Sequence, residues 1–252
     1  MIRHTTKIVL AKNGNYIRHV HKFQSDREIV MTAVKKFGMA LGYADKSFRL
    51  DKEIVMTAIK QTSLSLQYAD KSLQSDREIV MIAVQNNGRA LQYADKLFQS
   101  DRGIVMVAVQ NSGSALQYAA KFLQSDREIV MIAVQKNGHA LRYADKLFQS
   151  DREIVMVALQ STGLALEFAD KKLQSDKEIV MLAVEKNGYA LEFADKSLQS
   201  DIEIFMVAAE DNINAFMFVD DVMKTAVLQR GVGCWPPSQK RSRNSLKKLL
   251  AC

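Results

Sequence analysis

Cysteine is almost missing from this chain of 252 residues: Cys234 and Cys252 are the only two. Both lie near the C-terminus, where they cannot staple the body and offer no metal-ligand spacing. Proline is as scarce, with only Pro236 and Pro237, so nothing before residue 236 forbids helix. No apolar run approaches the ~18–20 residues that a membrane span needs. Residues 1–23 lack an apolar core followed by a small-residue cleavage site, which argues against a secretory signal. The expectation is an intracellular protein, cytoplasmic, or nuclear if the basic tail acts as an import signal. Secreted disulfide scaffolds and integral membrane proteins are disfavoured. What remains, at 48% hydrophobic and 25% charged, is globular composition.

The net charge of +7 is unevenly placed. Residues 1–25 hold five Lys/Arg and no acid, and residues 226–252 hold six and no acid. The middle, 26–225, is net −4. A nucleic-acid reading would therefore rest mainly on the two ends.

The strongest signal is repetition. Asp stands at 26, 51, 76, 101, 126, 151, 176 and 201, an unbroken period of 25. A unit this short cannot bury its own apolar face, so stacked helical units are expected. The reading is all-α: an α-solenoid of about eight helical hairpins over 26–225, with a degenerate capping unit at 1–25. Residues 226–252 would be a basic tail, with an amphipathic helix at 245–250. A weaker period of 50 also shows, with Asn87, Ser112, Asn137, Thr162 and Asn187 alternating.

Within 76–100 the pattern predicts two helices. Ser75 and Glu78 form an S-x-x-E capping box, and Ile79, Val80, Ala83 and Val84 share one face. Gly88 takes a left-handed C′ position. Ala90, Leu91, Ala94 and Phe98 mark the second helix. Comparing copies, Ala is invariant at 33 and every 25 residues on, which suggests close approach of backbones. Leu41 and its equivalents are core. Tyr43 and its equivalents become Phe at 168, 193 and 218, so the ring packs and the hydroxyl is dispensable. Gly103, Ser63 and Ile213 depart from their columns, and the last unit departs most.

These residues resemble a tandem αα-hairpin repeat family catalogued as a domain of unknown function. Its pattern, D-x-E-I/V-V-x-x-A-V-x-x-N-G-x-A-L-x-x-A, is met here by Asp126, Glu128, Ile129, Val130, Ala133, Val134, Asn137, Gly138, Ala140, Leu141 and Ala144. The resemblance implies an all-α repeat module. It implies no reaction, cofactor or catalytic residue.

No catalytic motif stands out, so a non-enzymatic chain with no cofactor and no metal is expected. The Asp and Glu of S-D-R-E recur in seven units, which points to helix N-termini rather than to an acid–base pair. His19 and His21 form a metal-like spacing without a third ligand. The variable columns are the candidate partner surface: Lys35, Lys60 and Glu185; Met39, Arg89, His139 and Tyr189; Arg142, Glu167 and Glu192. In the tail, Lys240, Arg241, Arg243, Lys247 and Lys248 are candidate contacts for an anionic partner. Net charge per unit runs +2, 0, 0, +1, +1, −1, −2, −5 from residue 26. That gradient suggests head-to-tail self-association, or the tail folding back on the acidic end. The leading functional expectation is a protein–protein interaction scaffold. The alternative is helical-repeat nucleic-acid binding aided by the basic ends.

Overall fold

The computed structural model describes residues 2–19, 24–211, 215 and 217–219. Among them every regular element is helical, with no strand. No described helix is long and apolar enough to cross a membrane. The chain divides into two compact units, Met1–Ile129 and Val130–Cys252. Within each unit, regular repeats of 25 residues pack one on the next, solenoid-like.

Of the repeats described in full, all but 101–125 hold three helical pieces rather than the expected two. In 76–100 they are the α-helix Arg77–Asn86, the 3₁₀-helix Gly88–Tyr93 and the short α-helix Lys96–Gln99. The predicted second helix breaks at Ala94, which is extended at φ −70 and ψ 153. The break frees an N–H for the neighbouring repeat: Asp95 N donates to Gln74 O at 3.0 Å. The same link recurs from Asp70 to Arg49 and Ala120 to Gln99 in the first unit, and from Asp170 to Gln149 and Asp195 to Gln174 in the second. A continuous helix would have consumed these donors. Asp95 then starts the short helix by accepting from Leu97 N at 2.9 Å.

The cap of the long helix also differs from expectation. Asp76, not Ser75, is the N-cap, accepting from Glu78 N and Ile79 N at 2.9 and 3.2 Å. Ser75 instead ends the preceding short helix and donates to Asp95. No capping box forms: Glu78 turns outward to Lys52.

The glycine of the repeats that carry one has a different job from the predicted one. Asn87, before it, is extended at φ −151, and Gly88 opens the 3₁₀-helix without a left-handed φ. Its value lies in size. A β-carbon there would stand 2.0 Å from Ala108 O of the next long helix. The same contact holds Gly38 to Ala58 and Gly163 to Ala183. The invariant alanine and the glycine are therefore two halves of one close approach.

The core follows the sequence columns. Ile79, Val80, Ala83, Val84, Ala90 and Leu91 have no exposure, and their described equivalents have next to none. Full burial of each Val, Leu or Ile contributes about 1.5–3 kcal/mol before entropy is charged. Residues 1–25 begin with the α-helix Ile2–Lys12 and the 3₁₀-helix Gly14–His19. Ile213, Phe216 and the whole tail lie outside the described residues.

Candidate functional site

The recurrent charged residues link neighbouring repeats. Lys52 reaches Asp76 and Glu78 of the next repeat at 2.9 and 2.8 Å. Arg27 does the same with Asp51 and Glu53, and Arg102 with Asp126 and Glu128. In the second unit Arg152 pairs with Asp176 and Glu178, and Lys177 with Asp201 and Glu203. Gly103 removes one rung, leaving Arg77 with Asp101 alone. The carboxylates expected at helix N-termini are there, as caps and ion-pair partners.

These pairs shift acidity in a consistent direction. The Lys52 ammonium holds Asp76 below the usual carboxylate range, aided by the helix N–H groups it caps. Arg77 and Arg102 do the same for Asp101 and Asp126. Hydrogen bonds to Glu78 and then Asp76 raise Lys52 to about 12. A carboxylate with a lowered folded-state pKa stabilises the fold above its unfolded value and stops doing so as pH falls through the lowered one. The urea midpoint should therefore stay level from pH 7 to about 5 and drop steeply below about 4. A midpoint unchanged down to pH 2 would show that the ladder carries no stability.

A second recurrent side chain binds the backbone. Gln74 is buried and donates through Nε2 to Leu66 O and Ala69 O, both at 3.1 Å. Gln124 does likewise in its repeat, and Gln174 donates to Leu166 O and Glu167 O. Arg49 fills the place once, bonding Gly42 O and Ala44 O. The sequence reading passed over this column, although Gln occupies it at 74, 99, 124, 149, 174 and 199.

These fixed residues form the floor of a groove between the 3₁₀-helices and the short helices. In the first unit it encloses about 950 Å³, with Gln67, Gln92, Lys71 and Lys96 on its walls, and Gln74, Gln99 and Asp95 also lining it. Residues one hundred positions on line a smaller counterpart of about 360 Å³ in the second unit, and there Glu167 and Glu192 replace Gln67 and Gln92.

The predicted surface columns do not share one place. Met39, Arg89, His139, Tyr189, Arg142, Glu167 and Glu192 lie on the 3₁₀-helices. His139 tilts against Phe168 of the next repeat at 6.0 Å, and Tyr189 meets Phe218 edge-on at 6.1 Å. Arg142 stacks over Tyr143 and Phe168. Lys35, Lys60 and Glu185 sit instead near the ends of long helices, exposed. Glu185 borders a separate hollow with Met181 and Leu182. His19 accepts from Arg18 Nε at 2.8 Å, and His21 lies outside the described residues. Among the described residues no three His, Cys, Asp or Glu gather as a metal site. The tail cations Lys240, Arg241, Arg243, Lys247 and Lys248 also fall outside, as do Asp220 and Asp221 of the acidic end behind the head-to-tail reading.

One unforeseen departure marks the groove. Ala120 stands where the other repeats place the Asp that caps the short helix. Without that cap, residues 121–125 form turns rather than a helix, and Phe122 is 62% exposed. A gap in the Asp column at 120 was the available signal.

No curated protein and no solved structure matches the chain. A family model does, described as a domain of unknown function (DUF4116), over residues 7–49, 51–99, 101–149, 126–174, 151–199 and 176–224. Most of these matches span two repeats, and together they take in nearly all of the repeat region. The chain therefore belongs to the DUF4116 family, as a tandem array of its helical repeats.

Proposed function

We propose that this array is a non-enzymatic scaffold that binds protein partners along the groove between its 3₁₀-helices and short helices. One observation carries the reading. A groove recurs at the same register in both units with a constant floor, Gln74 and Gln99 or Gln174 and Gln199, and with walls that change from Gln to Glu. A fixed frame with variable walls suits recognition, since specificity is a difference among contacts. The recurrent carboxylates favour the non-enzymatic reading, because capping and ion pairing already occupy them.

Nucleic-acid binding is the second reading. It draws on the exposed lysines at 46, 71, 96, 121, 146, 171 and 196, one in each of the first seven repeats. A photo-cross-linking residue at position 92, and another at position 60 on a long helix, separates the two in cells of the native source. Protein adducts at 92 in excess over 60 are the expected result. RNA adducts at 92 would favour the second reading, and equal labelling at both positions would remove the groove from either.

A further inference from the structure

We propose that the groove of the first unit takes an extended, acidic peptide segment carrying large apolar side chains, presented by a protein partner. The inference rests on the scaffold reading above and names the chemistry of its partner.

Charge is the first argument. Lys71 and Lys96 line the groove, and Lys121 follows at the same register, all exposed. The acids beside them are committed as caps: Asp70 accepts from Ser72 N at 2.9 Å, and Asp95 from Leu97 N and Ser75 Oγ. At 120 the acid is missing altogether. In the second-unit counterpart, Glu167 and Glu192 face Lys171 and Lys196 and reverse the balance. Of the two grooves, the first is therefore the one fitted to carboxylates.

Apolar surface is the second argument. Leu97 is 75% exposed and lines the groove, and Phe122 stands at the same place one repeat on. The equivalent residues in the repeats before them are Ser47 and Ser72. Lysines interleaved with exposed Leu and Phe match a chain that interleaves carboxylates with apolar groups. A phosphodiester chain has no counterpart for the aliphatic Leu97.

Backbone chemistry agrees. Gln67 and Gln92 turn their amide N–H to Leu64 O and Arg89 O of their own 3₁₀-helices, both at 3.1 Å. Their amide oxygens are then acceptors on the groove wall, suited to the N–H groups of an extended segment.

The test uses the full chain and a short fluorescein-labelled peptide in which Glu alternates with Leu and Ser. Its controls are the same peptide with Lys for Glu and a single-stranded oligonucleotide. Anisotropy at low salt should show binding of the acidic peptide only. The double variant Gln67→Glu, Gln92→Glu should weaken it about tenfold, with the urea midpoint unchanged, since Glu occupies both places in the second unit. Leu97→Ser should weaken it as well. Equal binding of the two peptides, or affinity indifferent to Gln67→Glu and Gln92→Glu, would overturn the proposal. So would binding of the oligonucleotide in place of the peptide. If the acidic peptide fails while proteins still cross-link at position 92, this inference falls and the scaffold reading stands; if both fail, the scaffold reading falls too.

Discussion

Gly88→Ala should cost about 3 kcal/mol, the upper end of what overpacking by one methyl usually costs. The reason is distance rather than dihedral freedom. The new β-carbon would meet Ala108 O at 2.0 Å and Ala108 C at 2.9 Å. That carbonyl accepts from Ser112 N at 2.9 Å, so it cannot swing aside without opening the end of its helix. Ser63 occupies the same column in its own repeat and is buried there. Gly103→Ala is the matched control. Its β-carbon meets only Asp101 Oδ1 at 3.3 Å and Arg77 Nη2 at 3.9 Å, both side-chain atoms. In the first turn of a helix it should stabilise by about 0.5 kcal/mol. Urea denaturation of both variants reads the contrast; equal midpoints would refute the close-approach account.

Gln124→Met should cost about 2–3 kcal/mol although it keeps length and volume. Gln124 is 5% exposed, and its Nε2 satisfies Leu116 O and Ala119 O at 3.1 Å each. Methionine fills the space and offers no donor, so Ala119 O loses its donor, Leu116 O keeps only Ala119 N at 3.2 Å, and Lys121 loses the acceptor it holds at 3.1 Å. Gln124→Arg should cost far less, because Arg49 in its own repeat also donates twice, to Ala44 O at the equivalent of Ala119 and to Gly42 O one residue beyond the equivalent of Leu116. The comparison separates lost hydrogen bonds from disturbed packing. Equal loss in both variants would assign the effect to shape.

The repeat frame and its core were legible because packing fixes residue type at a place. Ala83, Leu91 and their equivalents read as core, and those described are fully buried. The capping residue was not legible. Ser75 and Asp76 are both good caps, and what decides between them is a bond from Ser75 to Asp95, twenty residues away. Nor could six residues tell a 3₁₀ turn from an α turn, since periods of 3.0 and 3.6 barely separate over that span. The glycine was read as a local cap when its constraint comes from the following repeat. Of the site, the variable walls at Glu167 and Glu192 were found by comparing copies. The lysine rows and the Gln74 column escape such a comparison because they hardly vary: lysine gives way only at Asp221, and glutamine only at Arg49 and Lys224.

The period of 50 has a physical basis. Gly88 N donates to Asn111 Oδ1 of the next repeat, Gly138 N to Ser161 Oγ and Gly188 N to Asp211 Oδ2. In the repeats that begin these pairs, Asn87, Asn137 and Asn187 cap their own 3₁₀-helices, which Ser112 and Thr162 do not. Twenty-three residues after Gly163 stands Lys186, whose ammonium cannot accept. Hook and eye thus belong to alternate copies, and the array counts in twos. Excision of one copy, 101–125, would bring Lys136 to the place where Gly88 now finds Asn111, whereas excision of 101–150 would bring Ser161 there. Recombination among such copies can lengthen or shorten the chain without penalty only in even steps, so kindred arrays should differ by pairs.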